Sequence, residues 1–206
     1  MSTHTPTMPR TAFRIPYRTT WWLVFALMAT PLVWLIVQAF TGGLGANPIE
    51  AINRFLGDWA LRMLLVVLAA TPLKILFGWV WPVRLRRMLG LWSFVYVFLH
   101  ITNYVAIDQF FAWGDIWQDI LKRKFITVGM VAFVILTALA ATSWNGAIRR
   151  MGARSWKKLH KLVYAAAVLG CLHYVWMVKA DLREPLIHLG VLGVLLTVRV
   201  YHQATR

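Results

Sequence analysis

Long apolar runs, separated by short polar or charged stretches, dominate the chain. A helix needs about 20 mostly apolar residues to cross the hydrocarbon core of a bilayer. Six runs reach or approach that length, at residues 21–40, 59–77, 89–107, 125–143, 159–178 and 185–201. The pattern predicts an all-α integral membrane protein, built as a bundle of six transmembrane helices.

The composition agrees with this interpretation. Hydrophobic residues make up 60% of the chain, charged residues only 14%, and the mean hydropathy is +0.62. Such a chain is too apolar for an ordinary soluble domain. We expect a basic tail at 1–20, one membrane domain at 21–201 and a short tail at 202–206. The first run has no small-residue cleavage pattern before Thr41, so we interpret it as a retained anchor.

The net charge of +15 is unevenly distributed between the two predicted sides of the membrane. Both tails and the second and fourth loops, with the adjoining helix ends, hold fifteen Lys and Arg residues and no acid. The other side holds seven basic residues and all seven acids. Cytoplasmic loops carry the excess of Lys and Arg, so both termini are predicted to be cytoplasmic. Nucleic-acid binding is a poorer explanation of the charge.

Three histidines lie in or at the edge of the apolar runs: His100, His160 and His173. Ionisable side chains inside a membrane are expensive and mark functional sites, and histidine is a common axial ligand of haem iron. At about 1.5 Å per residue, His100 and His173 differ in depth by only about 3 Å. One haem can therefore bridge them. His188, at nearly the depth of His173, is a rival partner for it.

His160 stands apart from that pair. It precedes His173 by 13 residues, which places it about 20 Å nearer the cytoplasm and about 140° away around an ideal helix. A second redox centre there needs a bent or locally unwound helix. For each histidine the alternative is a packed or solvated imidazole with no metal. Cys171 is the only cysteine, so the chain offers no intrachain disulfide and no cysteine-based cluster.

Several motifs together resemble one family. They are RRMLGLW at 86–92 leading to His100, GGLGANP at 42–48, TPL at 71–73, WKKLHKLVY at 156–164, and His173 with Tyr174. Over about residues 20–200 the chain resembles MsrQ, the haem-binding membrane subunit of the bacterial periplasmic methionine sulfoxide reductase system. That family belongs to the ferric-reductase-like transmembrane group.

The resemblance implies a location in the bacterial inner membrane and a ligand role for His100, His160 and His173. It implies b-type haem, one or two per chain, and an FMN cofactor. It further implies electrons from the quinone pool or from a cytosolic flavin reductase. The recipient is then a periplasmic molybdenum-containing methionine sulfoxide reductase, paired with this chain as a heterodimer.

We therefore expect the chain to conduct electrons outward and to leave the substrate chemistry to its partner. At the basic face, Arg86 and Arg87, with Lys157 and Lys158, are candidates to pair with a flavin phosphate or with haem propionates. The alternative for each is a topology signal that contacts anionic lipid. The outer loops, around Asn47 and residues 108–124, are the expected docking surface. A small transporter and a cofactor-free assembly subunit are the competing hypotheses.

Overall fold

The computed structural model describes residues 16–205, and every regular element in that range is helical. In chain order they are α1 (Tyr17–Thr41), α2 (Pro48–Phe77), α3 (Trp81–Thr102), a π-helical segment (Asn103–Asp108), α4 (Trp113–Lys122), α5 (Lys124–Ala141), α6 (Asn145–Met151), α7 (Ala153–His160), α8 (Leu162–Met177) and α9 (Arg183–Ala204). The predicted all-α class is confirmed.

Five helices of this range are long and apolar enough to cross a membrane. They are α1, α2, α3 with its π-helical continuation, α5 and α9. The fifth predicted run, 159–178, is instead divided at Lys161 into α7 and the 16-residue α8. At 16 residues, α8 is not among the helices long enough to cross a membrane. The count of six spans therefore stays a prediction.

Helix α2 is the centre of the bundle. It contributes buried leucines to two hydrophobic clusters, one shared with α1 and α3, the other with α5, α8 and α9. Its start is well defined, because the Asn47 side chain accepts a hydrogen bond from the Glu50 amide and Pro48 occupies the first turn. It ends at Phe77, and the residue that follows, Gly78, has a φ of +70°, which suits glycine.

Buried polar side chains join the helices by bonding to main-chain carbonyls. The Tyr96 hydroxyl of α3 donates to the Met28 carbonyl of α1 at 2.8 Å, and the Ser93 hydroxyl donates to the Ala60 carbonyl of α2 at 3.2 Å. Both side chains are fully buried. A polar group buried in an apolar environment must be paired, and these bonds meet that demand while they hold α1 and α2 against α3.

Contacts between helices define two ends of the bundle. The starts of α2 and α5 line one cavity together with the ends of α3 and α8, at what we call the outer end. The ends of α2 and α9 line another cavity with the start of α8, at what we call the basic end. Late in α1, Trp34 stacks on Phe55 near the start of α2, so α1 runs antiparallel to α2. The start of α1 and the end of α9 therefore share the basic end.

The connecting segments and tails differ in places from the sequence interpretation. The expected outer loop at 108–124 contains helix α4, whose Ile116 is buried against the bundle. Helix α1 begins at Tyr17, inside the predicted tail 1–20, and α9 continues to Ala204, inside the predicted tail 202–206. Positions 1–15 and 206, which hold the rest of these tails with Arg10 and Arg14, lie outside the described residues.

Candidate functional site

A cavity of about 310 Å³ lies at the outer end, among α2, α3, α5 and α8. His100 from α3 and His173 from α8 both line it. The two residues are 73 positions apart in sequence, and they meet because α3 and α8 run in the same direction across the bundle. The matched depth that the sequence predicts for them is thus accompanied by a shared cavity.

The two imidazoles face each other at a distance that suits one shared metal atom. Their ring centres are 6.3 Å apart and their planes are inclined at 84°. An imidazole nitrogen binds a metal at about 2 Å, and its ring centre lies about 1 Å further back, so two imidazoles on opposite sides of one atom have centres roughly 6 Å apart. Two protein nitrogens are few for a free metal ion, but they are a complete axial set for a porphyrin iron.

Main-chain carbonyls orient both rings. His100 Nδ1 lies 3.0 Å from the Asn53 carbonyl oxygen of α2, and His173 Nδ1 lies 2.7 Å from the Phe125 carbonyl oxygen of α5. A carbonyl only accepts, so each Nδ1 must carry the proton and donate it. The lone pair is then on Nε2, free to bind a metal. This second bond is the usual device that fixes the tautomer and orientation of a metal-binding histidine.

Two glycines make room for these rings. A Cβ added at Gly57 would lie 3.2 Å from His100 Cε1, and a Cβ added at Gly129 would lie 2.7 Å from His173 Nδ1. Sequence reasoning missed both glycines, because isolated glycines in apolar helices ordinarily serve helix packing. Their partners become visible only when α2 meets α3 and α5 meets α8.

The cavity wall is apolar in its depth and charged at its mouth. The deep wall is formed by Leu61, Leu64, Val97, Phe133 and Leu136. Near the mouth, Arg54 pairs with Glu50 at 2.6 Å, and Arg123 pairs with Asp119 at 3.1 Å. An apolar wall excludes water from a redox cofactor, and water access is one of the factors that set its potential.

His160 lies away from this cavity, where α7 ends. Its Nε2 is 3.1 Å from the Thr142 hydroxyl oxygen, and its ring stacks on Trp156 with centres 3.9 Å apart. The helix is interrupted directly after it, at Lys161. The irregular helix that a second centre requires is therefore present, but among residues 16–205 no other histidine faces this imidazole.

His188, the rival partner, is buried but does not line the cavity. Its Nδ1 is 2.7 Å from the Glu184 carbonyl of its own helix, and its ring packs edge-on against Tyr174. The histidine that faces His173 is His100. Of the small residues on α8, Ala166 and Gly170 line the cavity, and Ala166 also belongs with Ala167 to the packed core.

The arginines predicted to contact an anion lie at the basic end. Arg87 donates from Nη1 to the Asn145 side-chain oxygen at 2.9 Å, which joins α3 to α6. Arg86 is near enough for its charge to act on Arg199 of α9. Lys157 and Lys158 are exposed on α7. These side chains do not approach the cavity that His100 and His173 share.

These features define a class: a helical, multi-pass membrane protein with a largely apolar cavity that can hold a planar metal cofactor between two imidazoles. Comparison with known proteins agrees with that class. The family described as "Ferric reductase like transmembrane component" matches residues 56–171, from α2 into α8.

Curated relatives cover more of the chain. A "Protein-methionine-sulfoxide reductase heme-binding subunit MsrQ" from Rhodospirillum rubrum is 57% identical over 177 residues, 86% of this chain and 85% of the relative. Proteins of the same name from Caulobacter vibrioides and Herminiimonas arsenicoxydans are 49% and 48% identical, each over 87% of this chain and over 85% and 83% of their own lengths. The chain belongs to the MsrQ family of ferric-reductase-like membrane proteins.

Proposed function

We propose that this chain is the haem-binding electron-transfer subunit of a methionine sulfoxide reductase system in the bacterial inner membrane. It passes electrons outward through a b-type haem to a periplasmic molybdenum-containing reductase that repairs oxidised methionines. The names of its relatives and the family membership support the system. The facing histidines support the route.

The observation that carries the proposal is the pair of imidazoles in one cavity. His100 and His173 come from different helices, their ring centres are 6.3 Å apart, and each Nδ1 is bonded to a carbonyl. A packing histidine needs a partner on both ring nitrogens when it is buried. Here both rings line one cavity, and each bonds a carbonyl through Nδ1 while no hydrogen bond among the described residues uses Nε2, so the two are better explained as ligands.

The bound haem would supply an iron that accepts and releases one electron. The chain's residues would set the conditions for that step. The carbonyls of Asn53 and Phe125 hold the two imidazoles and raise the basicity of Nε2. Gly57 and Gly129 keep the space beside the rings open. The leucines and phenylalanine of the deep wall exclude water.

The basic end is where we place electron entry. The cations of this end form no ion pair among residues 16–205 and would attract an anionic electron carrier. FMN, with Arg86 or Arg87 at its phosphate, is the cofactor that we expect there. The donor is either the quinone pool or a cytosolic flavin reductase. The cytoplasmic position of this end, and of both chain termini, follows from the charge bias.

We keep a ligand role for His160 as a separate proposal, based on the family resemblance. To bind a metal through Nε2 it must release Thr142, and among the described residues another group must complete the site. Such a centre at the basic end would shorten the path between an electron donor and the His100–His173 cavity.

At the outer end, the proposed docking surface for the reductase includes Asn47 and residues 108–124. Helix α4 within that stretch exposes Trp113, Trp117 and Leu121 along one side. Aromatic anchors of this kind are enriched in protein interfaces. The stretch 108–124 carries three acids and three bases, so its net charge is close to zero, and we expect contact area rather than long-range attraction to drive docking.

Colour tests the proposal directly. Protein purified from cells supplied with iron and a haem precursor should show a Soret band that shifts on reduction with dithionite. A transporter or a cofactor-free assembly subunit would show neither. A colourless preparation that is folded by circular dichroism would therefore refute the electron-transfer function.

A further inference from the structure

At the basic end, a second cavity of about 420 Å³ is lined by residues that the proposed electron route does not use. It lies between the ends of α2 and α9 and the start of α8. The lining residues are Thr71, Lys74, Ile75, Tyr164, Arg199, His202 and Gln203. Two of them carry fixed positive charges, a third is a histidine, and the lining contains no acid.

Arg199 is the central residue of this cavity. Its side chain is only 9% exposed, although it belongs to a helix that is apolar enough to span the membrane. It donates from Nη2 to the Leu68 carbonyl and from Nη1 to the Tyr164 hydroxyl, and it lies over the Tyr164 ring. The Leu68 carbonyl is available because Pro72, four residues later, has no N–H to offer it.

These bonds satisfy a carbonyl, but they leave the charge of Arg199 uncompensated. A guanidinium has five N–H donors, and two are used. Its Nε is buried and has no hydrogen-bond partner, and within residues 16–205 no ion pair includes Arg199. A buried cation without a counter-ion is strongly unfavourable. An intramembrane charge of this kind calls for a partner of opposite sign.

We infer that this cavity binds the phosphate group of a larger molecule. Phosphate fits better than a single carboxylate because Lys74, Arg199 and His202 come from two helices and can offset more than one negative charge. The hydroxyls of Thr71 and Tyr164 add further donors. At about 420 Å³ the cavity is also far larger than a phosphate alone, so the group belongs either to a phospholipid head group or to a soluble phosphate ester.

The test uses the full-length protein in a neutral detergent that contains no phosphate. Thermal unfolding is followed with increasing inorganic phosphate or with chloride at equal ionic strength, and in nanodiscs of phosphatidylglycerol or of phosphatidylcholine. A ligand that binds only the folded state raises the midpoint, and at a given concentration a tighter ligand raises it further. Stabilisation by inorganic phosphate indicates a soluble ester; stabilisation by phosphatidylglycerol alone indicates a lipid.

Lys74→Gln and Arg199→Gln each remove one fixed positive charge of the cavity, and His202→Gln removes its imidazole. Each should weaken the specific stabilisation, by about tenfold or more in affinity for the first two, the usual size of a charge-assisted hydrogen bond. Arg154→Gln is the matched control, since Arg154 is exposed at the same end outside the cavity. If Arg199→Gln does not fold, Lys74→Gln and His202→Gln still test whether the cavity binds the phosphate group.

The inference is overturned if neither phosphate nor phosphatidylglycerol stabilises the wild-type protein beyond its control. It is equally overturned if Arg154→Gln loses as much stabilisation as the cavity variants, because the effect is then general charge attraction. The readout requires no haem and no electron transfer. A failure here therefore leaves the proposed function standing, and the reverse also holds.

Discussion

The two ends of the bundle treat their polar groups in opposite ways. At the outer end, three basic side chains of the described residues form ion pairs: Arg54 with Glu50, Arg123 with Asp119 and Arg62 with Glu184. There the buried histidines are held by carbonyls around a cavity with an apolar depth. At the basic end, two arginines of the described residues donate hydrogen bonds to neutral partners: Arg87 to Asn145, and Arg199 to Tyr164 and Leu68.

This difference indicates two kinds of ligand. The outer cavity offers two imidazole nitrogens beside an apolar wall, which suits a metal in a large apolar macrocycle. The basic end offers uncompensated positive charge, which suits phosphate groups or anionic lipid head groups. The proposed function uses both ends, with electron entry at the basic end and the haem at the outer end. The variants below test whether the ends are as separate as their chemistry indicates.

The largest effect is expected from removing an outer histidine. His100→Ala and His173→Ala should each remove nearly all of the haem that this pair holds, since either change leaves one histidine ligand for a large cofactor. The measurement is the Soret absorbance per mole of folded protein. The proposed ligand pair is wrong if both variants keep their full haem content.

The next effect concerns His160 and the separation of the ends. His160→Ala should keep the haem that His100 and His173 hold, because His160 lies outside their cavity. Reduced-minus-oxidised spectra and haem stoichiometry report this directly. A fraction of haem lost in His160→Ala but kept in His100→Ala would identify a second centre. Complete loss of haem in His160→Ala would contradict the separation of the two ends.

A smaller but more diagnostic effect is expected from the glycines. Gly129→Ala places a Cβ 2.7 Å from His173 Nδ1, so the imidazole must move and haem affinity should fall by about tenfold. Gly57→Ala, with its closest contact at 3.2 Å, should have a weaker effect. Haem retention during dialysis against apomyoglobin compares the two.

Gly190→Ala and Gly193→Ala are the matched controls for this comparison. Both glycines are in α9, and a Cβ added at either meets nothing within 4 Å. Alanine is the better helix former by about 1 kcal/mol, so these variants should be at least as stable as the wild type, with unchanged haem. Equal haem loss in the controls would assign the effect to helix packing in general.

The smallest effect is expected from the outer ion pairs. Arg62 and Glu184 are 3.7 Å apart and both well exposed, so Arg62→Gln should lower the free energy of unfolding by at most about 1 kcal/mol. Chemical denaturation in mixed micelles measures it, and a double-mutant cycle with Glu184→Gln isolates the pair. A loss of several kcal/mol would mean that these charges organise the outer end.

Much of the fold could be predicted from apolar run length, because run length answers directly to bilayer thickness. The fifth run was the exception. Its interruption at Lys161 depends on how α7 packs through Trp156 and Thr142, and the indole of Trp156 donates to the Thr142 carbonyl at 2.9 Å. Helix α4 was also missed, since its ten residues are too short and too polar to stand out in a search for spans.

The site could be predicted only in part. Depth along a helix follows from residue number, so the common level of His100 and His173 was accessible. The sequence does not show how each helix is rotated about its axis or which helix it packs against. For this reason His188 remained a rival, and Gly57, Gly129 and Arg199 were not singled out. The partner of each of these residues is on another helix, and no local pattern records it.

The amino-acid sequence by itself determined the membrane class, the family and the uneven charge of the two ends, because all three depend on composition or on motifs along one chain. Only the tertiary structure decided that His100 faces His173, that glycines stand beside both rings and that Arg199 bonds the carbonyl left free by Pro72. The physical reason is that ligand geometry and charge compensation are relations between helices, and these arise only when the helices pack.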